Sequence, residues 1–395
     1  MSNRKLAILA VVAVVMVIWA VMQARLSNRP KGEPSGPSYL VQGLDPAAID
    51  SIVIGKGKDT ITLKRDGANF VLVNKDNYPA DAKQINDLIT KCLDIQTQEM
   101  YTDDPRNQKD LEVTEEKART FVKFLRPDSS LLAGLIIGKS PENGQGGFVR
   151  LASSDKVYLA SNVPWFKNSA LEYLEQELTA VKREDIQSLK VTLPAGGYLL
   201  KADPNTDGVT IDNLPAGKKL KGSEAKSVLT SLTSLTFNDV KKQSDETAKL
   251  SFDKQYACAL VDSTVYTLKI AKKDDKWFIT CRAEYTDKTP VTINPKEVVP
   301  EAELKKKEAK LLAQEKAQRF TLKHAGWVYE IADWKAKYLT KELSELLEDE
   351  KPVPADKTGA GKEPEKKEPQ KQEQTEQKSE LQQTTTEPNS VGSGK

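Results

Sequence analysis

The chain has 395 residues, with 59 Lys or Arg against 57 Asp or Glu, so its formal net charge of +2 gives no field that makes nucleic acid the default partner. Its one histidine, His324, excludes a multi-histidine metal site or acid/base centre. Three cysteines, Cys92, Cys258 and Cys281, are too few and too far apart for a zinc cluster or a disulfide scaffold.

From Leu6 to Met22 the sequence is an unbroken apolar run, LAILAVVAVVMVIWAVM, preceded by Arg4 and Lys5. At about 1.5 Å per residue a helix of this length reaches roughly 26 Å, the short end of a bilayer span. A cleaved signal peptide competes with this reading, but its apolar region is shorter and ends at a small-x-small site, whereas Ala24 has the bulky Met22 two places before it. The expectation is an uncleaved anchor over residues 1–26, with Leu6, Trp19 and Met22 in the lipid bilayer. Arg25, Arg29 and Lys31 bring the charge rule close to a tie. The short basic head before a long body still favours an N-in anchor, which places the body outside the cytoplasm.

Residues 27–38, SNRPKGEPSGPS, read as a Pro/Gly linker. A first α+β unit is expected over residues 39–185. In it, residues 61–64 and 69–74 form a hairpin through Asp66-Gly67. Residues 80–96 then place Ile85, Leu88, Ile89, Cys92 and Leu93 on one helical face, so Cys92 reads as a buried small hydrophobe. Strands follow at residues 120–125, 131–137, 147–152 and 156–160, and Leu171, Leu174 and Leu178 mark a closing helix.

A second unit is expected over residues 186–347. Its first helix is capped by Ser223 and runs through Val228, Leu229, Leu232 and Leu235. Strands follow near residues 256–261, 265–271 and 276–285, with a tight turn at 272–275. Residues 300–318 are an insertion, charged and helix-favouring, which reads as a solvated helix with a lateral docking arm as the other reading. Residues 348–395, rich in Pro, Glu, Lys, Gln and Thr, have almost nothing to bury and should form a disordered tail.

The two units echo each other in order. Residues 49–52 match 186–189, 62–64 match 199–201, 81–85 match 224–228, 120–125 match 265–270, and 148–150 match 280–282. Both then close with a tyrosine strand and a tryptophan, Tyr158 and Trp165 or Tyr329 and Trp334. Six matches in one order predict an internal repeat, and each copy should be a mostly antiparallel sheet backed by helices.

Chemistry-bearing motifs are sparse. Gly138-Lys139-Ser140 resembles the end of a phosphate loop, but Ala133 stands where the first glycine is needed and Pro141 replaces the helix. His324 lies in RFTLKHAGWVYEI, read as a strand lead-in, with no partner in reach, and so as a structural histidine. Asp103-Asp104 and Glu115-Glu116 are adjacent pairs that do not face each other. Cys258 and Cys281 sit in expected strands of one copy, and an exported body would meet oxidising conditions, so a disulfide between them is a candidate. No catalytic residue, cofactor or metal ligand is expected.

One stretch carries a family resemblance: Phe70-Val71-Leu72 before Tyr78-Pro79-Ala80-Asp81, the helix to Leu93, Ile136-Ile137-Gly138-Lys139, Phe148-Val149-Arg150 and Val157-Tyr158-Leu159-Ala160. Over residues 69–192 the chain resembles the bacterial domain-of-unknown-function family 4340. The resemblance implies a membrane-anchored extracytoplasmic auxiliary protein at the bacterial inner membrane, often found beside ABC transporter components of the gliding-motility type. The expectation is a non-enzymatic accessory or adaptor of a membrane transport complex, partnered by transporter subunits. The alternative is an envelope polysaccharide- or peptide-binding module with Arg150, Tyr158 and Trp165 on a shared groove.

Overall fold

The structure, a computed structural model, describes residues 38–142, 144–291 and 300–350. The apolar run holding Leu6, Trp19 and Met22, the linker before Ser38 and the tail from residue 351 lie outside the described residues. Among those described, no helix is long and apolar enough to cross a membrane.

The first sheet grows from β1 (Ser38–Tyr39), β2 (Ser51–Ile54), β3 (Ile61–Asp66), β4 (Asn69–Leu72) and β5 (Tyr78–Pro79). Gly67 adopts a positive φ of 59° at the β3–β4 turn, which only a residue without Cβ takes freely. Helix α1 (Ala82–Leu93) follows. Asp81 caps it by accepting from the Lys83 amide at 2.8 Å, and Ile85, Leu88, Ile89 and Cys92 are its buried stripe. Then come β6 (Gln96–Thr102), β7 (Thr120–Leu125), β8 (Leu131–Ile137), β9 (Gly147–Leu151) and β10 (Val157–Ser161). The ten strands lie in the order β1-β6-β10-β9-β8-β7-β2-β3-β4-β5.

Strands β7 to β9 read as apolar runs because both faces of the sheet are covered. Val122, Phe124, Leu135, Ile137 and Val149 enter the main core, while Phe121, Ile136, Phe148 and Val157 meet Leu111, Val113 and Ala118 on the other side.

The expected closing helix is not formed. Residues Ala170–Tyr173 make one short 3-10 turn with a Ser169–Glu172 capping box, and the chain then extends as β11 (Glu177–Thr179). Leu174 and Leu178 are buried all the same, because a strand and a turn can sink the same leucines that a helical stripe would.

The second sheet contains β12 (Ile186–Leu193), β13 (Gly196–Ala202) and β14 (Val209–Ile211). Next come β15 (Lys218–Leu220) and α2 (Gly222–Leu229). Lys221 occupies the cap position, so Ser223 is the second helical residue and not the cap. The helix stops at Leu229, although Leu232 and Leu235 beyond it remain buried. β16 (Leu235–Thr236) pairs with β11. β17 (Asp239–Lys242) and a single turn, α3 (Asp245–Ala248), lead into β18 (Lys254–Leu260), β19 (Thr264–Lys273) and β20 (Lys276–Tyr285). β19 and β20 pair over ten residues, and their two-residue turn puts Asp274 and Asp275 at φ 49° and 60°, the geometry that matches hairpin twist.

Helix α4 (Glu301–His324) is longer than the expected insertion and packs on β20. It carries His324, which is therefore helical and not part of a strand lead-in. β21 (Trp327–Ile331), α5 (Asp333–Leu339), α6 (Leu343–Leu346) and β22 (Leu347–Asp349), which pairs with β15, complete the body. The second sheet runs β14-β13-β12-β18-β19-β20-β21-β17. Every strand pair among the described residues is antiparallel, and the chain is a mixed α+β protein.

Eight positions of the two sheets are wired alike. β4-β3-β2-β7-β8-β9-β10-β6 in the first corresponds, in sequence and in space, to β14-β13-β12-β18-β19-β20-β21-β17 in the second. By this correspondence residues 120–125 belong with β18, one strand earlier than the sequence match to residues 265–270.

Where the sheets meet, Tyr78 packs edge-on against Trp327, with ring centroids 4.9 Å apart, and against Phe237 and Tyr329. Lys75 pairs with Asp239 at 2.6 Å, and the Lys242 amide donates to Asp76 at 3.1 Å. One apolar core runs through both sheets.

Candidate functional site

The predicted groove of Arg150, Tyr158 and Trp165 is not assembled. In the β9–β10 register Arg150 lies opposite Val157 and Val149 opposite Tyr158. Directly opposed residues share a face and neighbours along a strand do not, so Arg150 and Tyr158 point to opposite sides of the sheet.

Arg150 is buried. Its Nε donates to the Val113 carbonyl at 3.0 Å and its Nη1 to the Ser154 carbonyl at 2.9 Å, which ties the covering segment onto the sheet. Burial pulls its pKa down from the ordinary value against the nearby Asp155 and Glu115. Trp165 is 81% exposed, with the Arg119 guanidinium 4.6 Å above its ring.

The three cysteines are free and buried. Cys258 is on β18 and Cys281 on β20, with β19 between them. Two strand spacings amount to about 10 Å, beyond the roughly 7 Å between Cα atoms that a disulfide spans, so the candidate bond is absent. Burial pushes the Cys92 and Cys258 thiols up to about 12 and Cys281 higher still, which keeps all three protonated and inert.

Gly138 is committed to the backbone: its amide donates to Phe148 and the Lys139 amide to Leu111, so these amides do not form a phosphate cradle. Asp104 caps the turn at residues 105–107 and holds Arg106, and Glu115 pairs with Lys123 at 3.5 Å. Among the described residues no group of three or more His, Cys, Asp or Glu could hold a metal ion.

His324 is buried, with its Nδ1 2.7 Å from the Tyr329 hydroxyl, which stands 3.5 Å from that of Tyr78. Burial, with a smaller contribution from Lys323, lowers its pKa to about 4. It is therefore neutral at physiological pH, shut inside an aromatic cluster with Phe320 and Tyr329.

Three surface features remain. The largest is an open cleft of about 910 Å³ lined by Arg183, Lys201, the loop Asp203–Asp207 and Val261. Asp203, Asn205, Asp207 and Gly208 have the spacing that opens a calcium loop, but Leu214 stands where the closing glutamate belongs. Asp203 is occupied by the Thr206 hydroxyl and the Asn205 amide, and Asp207 is neutralised by Lys226 and Arg183.

The second feature is the outer face of α4. Ala313, Ala317 and His324 form its buried stripe. At 100° per residue Leu304, Leu311 and Leu322 fall within about 20° of one another and roughly 150° from that stripe. They are 47%, 44% and 70% exposed, so this helix presents leucines to solvent while alanines face its own sheet. The third feature is a cleft between the end of α2 and α5, bordered by the exposed Trp334 and Tyr338.

Residues 71–255 match the family model described as Domain of unknown function (DUF4340). The match runs from β4 to the start of β18, beyond the stretch that carried the resemblance, and so takes in parts of both sheets. No curated protein matches the chain, and no solved structure does.

Proposed function

We propose that this chain is a non-enzymatic accessory or adaptor protein of a membrane transport complex, anchored by residues 1–26 with its body outside the cytoplasm at the bacterial inner membrane. In this reading the body is one unit duplicated, residues 39–185 and 186–350, the expected tail boundary at residue 348 giving way to 351 because Glu348 and Asp349 pair with β15, and residues 351–395 are an unfolded tail.

The observation that carries the reading is the outward leucine stripe of α4. Leu304, Leu311 and Leu322 keep 44–70% of their surface in solvent, and apolar side chains aligned along a solvated helix are the anchors of helix–helix recognition. Lys305 and Arg319 beside the stripe are paired with Glu301 and Glu315 of the same helix, so it is the apolar seam itself that suits a helix of a partner subunit. The duplicated wiring supports the reading as well. α4 stands in the connection between β20 and β21, and the equivalent connection in the first sheet is only residues 152–156. The second copy thus has an added arm. The family resemblance supplies the transporter as the complex.

Affinity purification of the full chain in mild detergent tests this. Transporter subunits should accompany the wild type and be lost from the double variant Leu311→Glu/Leu322→Glu, whose melting temperature should stay within a few degrees because both residues are solvent-facing. Recovery of the wild-type protein alone sinks the adaptor reading.

A further inference from the structure

The shared strand order places an exposed tryptophan at the same point of both sheets. Trp165 follows β10 and faces Gln84, Asp87, Leu88 and Lys91 of α1; Trp334 follows β21 and faces Ser227, Thr230 and Ser231 around the end of α2. The two places have diverged.

In the first, Lys167 reaches across to Gln84 at 2.6 Å and to the Glu172 carbonyl at 2.8 Å, Arg119 covers the indole, and only about 40 Å³ of space is left. In the second, Lys335 donates to Thr236 at 2.6 Å and the Ser234 carbonyl at 3.3 Å with its ammonium 5.2 Å from the Trp334 ring centroid, and a cleft of about 530 Å³ still stays open. That volume is in the range of small-molecule sites.

The lining is chemically unusual. Six of its ten residues are Ser or Thr: Ser227, Thr230, Ser231, Thr233, Ser234 and Thr236. Four of these hydroxyls spend their hydrogen on backbone carbonyls of their own segment: Ser227 on Ser223, Thr230 on Lys226, Ser231 on Ser227 and Thr233 on Thr230. They therefore meet an incoming ligand with lone pairs, as acceptors. The Trp334 Nε1, the Tyr338 hydroxyl and the Ser234 hydroxyl make no hydrogen bond among the described residues and are available as donors. Trp334 and Tyr338, four residues apart on α5, stand on one face of that helix and are 60% and 36% exposed.

From this we infer that the cleft between α2 and α5 binds a pyranose unit of a glycan chain, with Trp334 as the platform. A sugar ring has an apolar C–H face that packs on an indole and a rim of hydroxyls that both donate and accept, which is what an aromatic floor with mixed acceptors and donors complements.

Other ligand classes fit less well. An anion would meet one cation, Lys335, with two of its three donors already used. A divalent metal would meet no carboxylate in the lining. A proline-rich peptide also packs on aromatic residues, but proline has no N–H, so the row of acceptors would be desolvated without partners. The inference goes beyond the adaptor reading and does not depend on it, since that reading rests on a different element, α4.

The test is calorimetric titration of the full chain in mild detergent with chitotriose, maltotriose and cellotriose. At least one should bind saturably, and binding should weaken by about tenfold or more in Trp334→Ala and in Ser234→Trp, which fills the cleft from an exposed position. Trp165→Ala should bind as the wild type does. The inference is overturned if none of the three sugars binds, if Trp334→Ala keeps the wild-type affinity, or if a peptide of residues 351–368 binds at Trp334 in their place. Because Trp334 and Ser234 are both exposed, melting temperatures near that of the wild type separate loss of the site from loss of the fold.

Discussion

His324 shows how one side chain is turned from chemistry to architecture. Its imidazole lies against Phe320 and Tyr329 with one hydrogen-bond partner, the Tyr329 hydroxyl. Burial lowers its pKa from 6.5 to about 4, so between those values the unfolded chain takes up a proton that the folded chain refuses. Stability should therefore hold above pH 6.5 and fall as the pH drops toward 4, by up to about 3 kcal/mol in all. Urea unfolding at pH 7 and pH 4.5 measures this, and His324→Phe should flatten the dependence; an equally steep pH dependence in that variant refutes the assignment. Tyr329→Phe at pH 7 should cost about 1–2 kcal/mol by leaving the imidazole nitrogen unpaired. The cysteines give a second check at this scale. All three should resist a thiol reagent in native protein and all three should react in denaturant without prior reduction, because none is bonded.

At the scale of elements, the segment from Gln108 to Ala118 is held on the outer face of the first sheet by Arg150 to Val113, the Lys139 amide to Leu111, Gln108 to Asp155 and Lys56 to the Glu116 and Ala118 carbonyls. Gly138 makes that approach possible, since a Cβ there would collide with the Leu111 carbonyl and a Val113 methyl. Gly138→Ala should destabilise by about 2–3 kcal/mol in equilibrium unfolding, against near-neutrality for an alanine at the solvent-open Gly222.

Legibility in the sequence followed pattern strength. Strands β7 to β10 and α1 were readable because their apolar periodicities are strong, and the β19–β20 turn because of its Asp pair. β6, reading QTQEMYT, has no such alternation, and it is mostly exposed. The leucine spacing at 171, 174 and 178 suits a helix as well as the turn and strand that form. The groove of Arg150, Tyr158 and Trp165 failed for a different reason: which face each residue takes is set by cross-strand register, which composition does not encode. Trp334 was visible only as the echo of Trp165, and nothing local marked the hydroxyl-lined cleft beside it.

At the scale of the molecule, the two sheets resemble each other in wiring but are not separate in energy. Tyr78 comes from the edge of the first sheet and is buried among Phe237, Trp327 and Tyr329 of the second chain half, and the apolar core passes through this junction without a break. The described residues form a single compact unit. Unfolding should accordingly be one transition, with the fluorescence of Trp277 and Trp327 and the far-ultraviolet dichroism changing together. Tyr78→Ala should lower the midpoint for both probes by a common amount, about 3–5 kcal/mol in stability, and two resolved transitions would contradict the shared core. The same continuity bears on the family match. Residues 71–255 omit β2 and β3 from the middle of the first sheet and β19, β20 and β21 from the second, so each half of the matched stretch lacks strands that its neighbours pair with. A fragment of residues 71–255 should remain unfolded in solution, while residues 38–350 should fold. Cooperative thermal unfolding of the shorter fragment would mean that the matched region has its own core, which the burial of Leu63, Leu268 and Tyr329 in the common cluster argues against.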